Sequence, residues 1–380
     1  MQPFRQFVLK IHGRCDLACD YCYIYTLADQ RWRTRPPAMS RETMRCTARR
    51  IAEHAEAHGL PRVDVVLHGG EPLLAGTENI EYCVTTLRNT VGDHVETAVQ
   101  LQTNGVRLTT DHLRSFRRHG IRVGVSLDGD ATAHDRHRRG RGGTGSHARV
   151  RRALQLLSRE PHRALFGGLL CTIDLRNDPV GTYESLLEYA PPVIDFLLPH
   201  GNWSAPPPNR VPGAPGTPYA DWLIAVFDRW YRAPREETRI RLFAEIINVL
   251  LGGSPGVEGI GTAPSVIAVV ETDGAIEASD MLAAAYEGAG ATGLHVGADS
   301  FDDALRLPVF AAAQAGVAAL APDCQRCRLR TVCGGGLYPH RYRRGSGFRN
   351  PSVYCPDLYR LIDHIRATLA AGVATLRRSS

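Results

Sequence analysis

The chain has 380 residues, is 43% hydrophobic and 22% charged, and carries a formal charge of +6. These values describe a folded chain long enough for one large α/β unit and a smaller one, and they exclude a disordered or collagen-like polymer. The arginine runs at 136–141 (RHRRGR) and 341–344 (RYRR) carry much of the excess charge. Asp and Glu are plentiful and no nucleic-acid motif accompanies the runs, so they read as solvated loops, with a lesser role in neutralising an anion, and no nucleic-acid partner is expected.

No segment has the charged-then-apolar form of a signal peptide, and no apolar run approaches membrane-spanning length, so no membrane partner is expected. Ten cysteines without such a signal argue for reduced thiols and metal ligation, which predicts a cytoplasmic protein.

In chain order, short β-rich runs alternate with helical patterns. Strands are expected at 7–11, 63–68, 96–102, 122–126, 164–172 and 193–198, with helices at 40–58, 77–91, 109–119, 146–158 and 180–189. Ser40 and Thr109 supply capping starts, and Gly59-Leu60-Pro61 and Gly92 supply stops. Repeated βα units imply a parallel sheet with right-handed crossovers, curled as a partial (β/α)6 barrel or left open. From His200 a Pro- and Gly-rich stretch excludes helix and central strand. Helices at 219–231 and 238–251 follow, then a hairpin of 265–270 and 275–278 around Asp273-Gly274, a helix at 304–320 and a final one at 357–376. The last shows apolar Leu358, Ile362, Ile365, Leu369 and Val373 at helical spacing.

Polar punctuation gathers at the carboxyl ends of the expected strands, where working groups of such sheets sit. The first strand is followed by Cys15, Cys19 and Cys22, with Tyr21 before the last. Three thiolates wrap one metal centre and fall one short of the four that close an iron–sulfur cube. A zinc site or unpaired core thiols are the alternatives. The second strand leads into Gly69-Gly70-Glu71-Pro72, the third into Thr103-Asn104-Gly105, the fourth into Ser126-Leu127-Asp128-Gly129. Two glycines allow close backbone approach and Glu71 can accept from an ammonium, while Asn104 shapes its turn. Cys324, Cys327, Cys333 and Cys355 form a second set that can close a cluster alone, a zinc ribbon being the alternative. Cys46, Cys83 and Cys171 read as core residues.

CxxxCxxC with its aromatic, followed by GGEP, resembles the radical S-adenosylmethionine (SAM) enzymes. The resemblance implies a [4Fe–4S] cluster on Cys15, Cys19 and Cys22 whose open iron takes SAM. It assigns Tyr21, Gly69, Gly70, Glu71, Ser126 and Arg138 to SAM binding. The second set resembles the SPASM domain of peptide-modifying members, whose full pattern has seven cysteines and two auxiliary clusters. Leu337 and Ser279 stand where two of those cysteines would be, and the hairpin also lacks its other flanking cysteine. One auxiliary [4Fe–4S] cluster on Cys324, Cys327, Cys333 and Cys355 is therefore expected, with Arg326, Arg328, Arg330 and Arg343 tempering its charge. Asp280 matches the carboxylate base of sulfatase-maturing relatives, an ordinary hairpin aspartate being the alternative.

The expected division is 1–200 as barrel with cluster and SAM, 201–262 as proline-rich loop and bridging helices, and 263–380 as SPASM-like domain with C-terminal helix. KIHGRCDLACDYCYIY, ADQRWR and LPHGNW resemble the FxsB-type cyclophane-forming peptide maturases. These abstract hydrogen from an unactivated Cβ of a ribosomal precursor peptide and join that carbon to an aromatic ring two positions away. The resemblance implies a precursor peptide and a flavodoxin- or ferredoxin-type reductant as partners. Thioether formation and formylglycine generation are alternatives on the same scaffold, and an Fe–S electron carrier is the non-enzyme alternative. The cysteine loop lies so near the start that leader recognition is expected at the barrel mouth, the proline-rich loop, the C-terminal region or a separate protein.

Overall fold

The architecture is that of a computed structural model that describes residues 1–211 and 213–379, with side chains described through residue 372. Strands β1 (Gln6–His12), β2 (Arg62–Gly69), β3 (Glu96–Thr103), β4 (Ile121–Ser126), β5 (Phe166–Thr172) and β6 (Val193–Leu197) lie side by side in sequence order and all run parallel. Each is followed by helix, the arrangement that the alternating pattern implies, and the result is a partial (β/α)6 barrel with a C-terminal auxiliary region. Apolar residues of one parity, such as Phe7, Leu9 and Ile11 on β1 and Val63, Val65 and Leu67 on β2, are buried in one continuous core. Met44, Ala48 and Ile51 of helix Arg41–Ala57 belong to the same core. Residues of the other parity, Lys10, His68, Gln102 and Ser126 among them, are the polar ones.

The sheet extends past both edges of the six strands. A two-residue β7 (Arg239–Ile240) pairs with β6, and it occupies the first turn of the helix expected at 238–251, which starts instead at Arg241. Two residues carry too little pattern to be seen as a strand. On the other edge the Asp273-Gly274 hairpin forms as expected, with β8 (Ile267–Val270) antiparallel to β9 (Ala275–Glu277) and Gly274 at φ +97°. β8 also pairs in parallel with β1, Gln6 to Ile267 through Leu9 to Val270, so the hairpin continues the barrel's own sheet. β10 (Ala291–His295), unforeseen in the sequence, completes the edge.

The helix expected at 304–320 is three short pieces, Phe301–Leu305, Pro308–Gln314 and Gly316–Ala319. Pro308 drives Leu307 into extended backbone, and the Ser300–Asp303 capping box starts the first piece early. A short helix, Ala131–His137, was likewise not expected; Asp130 caps it by accepting from Ala133. The final helix runs Cys355–Ser379, and its expected apolar position Val373 lies outside the residues whose side chains are described. Among the described residues no helix is long and apolar enough to cross a membrane.

Candidate active site

The cysteine loop leaves β1 and is fastened onto the loop after β2. Gly70 N–H donates to His12 O at 2.8 Å and Glu71 N–H to Arg14 O at 2.9 Å. Both glycines are required by this approach. A Cβ on Gly69, at φ +143°, would lie 2.2 Å from His12 O, and one on Gly70 would lie 2.5 Å from Arg14 O. Gly70→Ala is therefore expected to push the cysteine loop away, costing about 1–3 kcal/mol. Iron content after anaerobic reconstitution, together with the thermal midpoint, checks this; both should fall.

Glu71 is fully buried, and its carboxylate accepts from Leu73 N–H (3.0 Å), Thr103 Oγ1 (2.7 Å) and Asn104 N–H (2.8 Å). Burial pushes it up to about 7 against those three donors. It thus ties the loop after β2 to the loop after β3. Asn104 does more than shape its turn. Its Oδ1 accepts from Val106 N–H at 2.9 Å, while Nδ2 reaches Asp16 at 2.9 Å and Cys15 Sγ at 3.6 Å.

The Cys15 thiol is pushed up to about 12 and that of Cys19 to about 11, chiefly by burial, with Cys19 acting on Cys15 and Cys22 on Cys19. Cys355 is pushed up to about 12 by burial and then by Cys333, Cys324 and Cys327. The thiols within each set are thus near enough to act on one another. Among the described residues, neither set brings three sulfurs within 4.8 Å of one another. Thiolates on one tetrahedral zinc ion lie about 3.8 Å apart, from Zn–S bonds near 2.3 Å. Neither set therefore has the compact arrangement of one zinc ion, and soft thiolate donors of this number suit an iron–sulfur cluster by their chemistry.

Around the first set, Tyr21 Oη donates to Asp128, and Arg138 Nε donates to the same carboxylate at 2.8 Å. Burial opposes ionisation of Asp128, but Arg138 and His134 hold it below the usual carboxylate range. Ser126 Oγ, at the end of β4, accepts from Gln102 Nε2 at 3.2 Å. Of the arginine run, Arg136 pairs with Asp174 at 2.5 Å and Arg138 with Asp128, so these two are structural ion pairs and not solvated side chains. Asp128 and Asp174 sit on other loops, which is why the run reads as unpaired in sequence.

Asp280 lies beside the strand from which the cysteine loop leaves. It is ion-paired with Lys10, and Tyr23 Oη donates to it at 2.7 Å. Lys10 and His68 are register neighbours on β1 and β2, with Lys10 Nζ 3.2 Å from His68 Nδ1. Burial disfavours charge on Asp280, yet Lys10 holds its carboxyl well below the usual range, helped by the bond from Tyr23. Burial and Lys10 push His68 down to about 4, so it is neutral and accepts from Lys10. Lys10 is 3% exposed inside an otherwise apolar strand, the one sequence signal that a partner had to exist. A cavity of about 50 Å³ joins these groups, lined by Lys10, Asp280, Gly69, Gly70, Glu271 and Ala283.

Ion pairs close the other wall. Arg35 meets Glu277 at 2.5 Å, Glu271 at 3.1 Å and Asp273 at 3.3 Å, and Arg31 meets Asp29 at 2.6 Å and Glu277 at 2.9 Å. Here the segment after the cysteine loop grips the β8–β9 hairpin. Arg35→Ala leaves three carboxylates facing one another with one cation gone, which is expected to cost about 3 kcal/mol, the low end for buried pairs because Asp273 reaches solvent. Denaturant unfolding at neutral pH checks it.

Cys324, Cys327 and Cys333 lie in or beside the short helices Pro322–Arg326 and Arg330–Cys333, and Cys355 opens the last helix. The arginines expected to temper this site are largely engaged elsewhere. Arg326 pairs with Asp323 (2.6 Å) and Arg328 with Asp363 (3.0 Å), while Arg343 stacks on Trp203 at 4.5 Å. The cation that is buried here is Arg341, a member of the 341–344 run.

Residues 9–171 match the Radical SAM superfamily. The serine-type anaerobic sulfatase-maturating enzyme of Klebsiella aerogenes is 25% identical over 373 residues, covering 97% of this chain and 86% of that protein. Among solved structures, native anSMEcpe with bound AdoMet and Cp18Cys peptide superposes with a TM-score of 0.81 at 20% identity, covering 98% of this chain and 99% of that one. Streptococcus suis SuiB bound to precursor peptide SuiA superposes with a TM-score of 0.59 at 14% identity, covering 93% and 76%.

Proposed function

We propose that the protein is a radical SAM enzyme that oxidises a peptide side chain at its Cβ by two electrons, a reading supported by the match of residues 9–171 to that superfamily. When bound, the cube on Cys15, Cys19 and Cys22 with SAM supplies a 5′-deoxyadenosyl radical that removes one hydrogen atom from substrate. The chain's own residues then have three tasks. Gly69 and Gly70 would admit the cofactor's polar end against bare backbone, and Tyr21, Ser126 and Arg138 are the residues that would hold the rest of it. Glu71 acts through its hold on the loops after β2 and β3. Asp280, kept ionised by Lys10, takes the proton that leaves once the substrate carbon is oxidised. Cys324, Cys327, Cys333 and Cys355 would hold an auxiliary cluster able to accept the departing electron, and a flavodoxin- or ferredoxin-type protein would supply the electron that starts the cycle.

The observation that carries this reading is an ionised, buried carboxylate on the same cavity as the Gly69-Gly70 turn onto which the cysteine loop is fastened. Whole-length similarity to sulfatase-maturating enzymes supports formylglycine generation over the cyclophane expectation as the fate of the oxidised carbon. Cyclophane formation stays as the second reading because Ser279 and Leu337 replace two of the seven cysteines of the full SPASM pattern. Anaerobic incubation with two peptides separates them, one carrying a sulfatase-type Ser/Cys motif and one an aromatic-x-x motif. An aldehyde that a hydrazide captures supports formylglycine. Loss of two hydrogens without an aldehyde, with ring and side chain linked, supports the crosslink. Oxidation of neither peptide, with SAM still cleaved, removes the peptide-oxidising reading.

A further inference from the structure

Arg341 ends the short turn Tyr338–Arg341 and is 8% exposed. Its Nε donates to Gly335 O at 3.0 Å, and one terminal nitrogen donates to Gly334 O at 2.6 Å and Gly336 O at 2.7 Å. These glycines follow Cys333 directly and sit at φ +58°, +79° and +67°, a run of left-handed backbone that presents three carbonyls to one guanidinium. The loop has no slack, since a Cβ on Gly334 would lie 1.6 Å from Gly261 O.

Carbonyl dipoles solvate a cation but do not cancel its charge. Among the described residues no carboxylate lies within ion-pair distance of Arg341. Burial works against its charge and outweighs Cys333, Cys324, Tyr338 and Glu258, the groups that favour it. Burial pushes Glu258 up to about 7, so it is only partly ionised at neutral pH. The adjoining His340 is held neutral by burial, then by His200 and Arg341, and its Nε2 has no partner. A buried guanidinium is thus clamped onto the loop that follows Cys333 with no carboxylate paired to it among the described residues, an arrangement that an anion on the second cysteine set would complete.

We infer that Arg341 is the built-in counter-charge of the auxiliary cluster, favouring its more negative, reduced state and so setting the potential at which it accepts the substrate's electron. One electron added to a cube on four thiolates adds one negative charge, and a fixed neighbouring cation stabilises that state over the oxidised one. The inference rests on the auxiliary-cluster reading above.

The test uses the full chain with Cys15, Cys19 and Cys22 changed to alanine, so that only the second site holds iron, followed by EPR-monitored redox titration. Arg341→Gln is expected to shift the midpoint potential to a more negative value, and Arg341→Lys to keep it near that of the parent. A Gln variant that holds the cluster at the parent's potential overturns the inference. If the Gln variant loses the cluster, the Lys variant decides. Retention at the parent's potential supports the charge role, whereas loss there too assigns Arg341 to shaping the Gly334–Gly336 loop and overturns it. A parent that binds no iron–sulfur cluster at all overturns the auxiliary-cluster reading itself, and the inference with it.

Discussion

Cys19→Ala is expected to abolish 5′-deoxyadenosine formation completely while leaving the iron bound by Cys324, Cys327, Cys333 and Cys355 in place. The reason is coordination number. Three thiolates and one open iron are the minimum for a cube that still binds SAM, and two thiolates do not hold the cube. Cys19 interacts with both neighbours' thiols and with Arg138, so its loss also opens the centre of the loop. Iron and sulfide counts with chromatography of the nucleoside products check both halves. Cleavage at the parent's rate would mean that the first cysteine set is not the site of SAM chemistry.

Asp280→Asn is expected to lower peptide oxidation by about 10²–10⁴-fold, the range for loss of a positioned general base, while SAM cleavage continues uncoupled. Asn keeps the shape and the bond from Tyr23 but cannot take a proton. Lys10→Met tests the same assignment through pH. Asp280 is now held below its ordinary value of about 3.9, so it is ionised at every working pH and the rate should show no acid limb from it. The same pair stabilises the fold above that ordinary value, and its contribution is lost as pH falls through the lowered one. Without Lys10, burial is no longer opposed by its main cation, the Asp280 carboxyl rises, and an acid limb enters the rate profile. A profile unchanged in Lys10→Met, with oxidation intact in Asp280→Asn, would remove Asp280 from the chemistry.

Much of this site was legible from residues close together in the chain. The close spacing of Cys15, Cys19 and Cys22 is what suggests a metal loop, and Gly69-Gly70 announces a close backbone approach, which the loop from His12 to Arg14 makes. The six parallel strands follow from alternation that repeats along the chain. What escaped is what depends on distant partners. Lys10 and Asp280 are 270 positions apart and no local pattern links them. Asp128 reads as a turn residue until Tyr21 and Arg138 are seen to share its carboxylate. The 136–141 run and Arg341 read as solvated because arginine at the surface and arginine clamped by a loop have the same local sequence. The 304–320 segment failed for another reason: alanine-rich periodicity outweighed Pro308 and Gly316, although proline and glycine are the residues that decide where helices stop.

The most direct measurement is EPR of the dithionite-reduced protein carrying Cys324→Ala and Cys333→Ala, recorded before and after SAM is added. An iron left open by the three cysteines of the first loop predicts a reduced-cluster signal whose g-values move when SAM binds, followed by 5′-deoxyadenosine. A signal indifferent to SAM, or a first site that takes up zinc in place of iron, would contradict it.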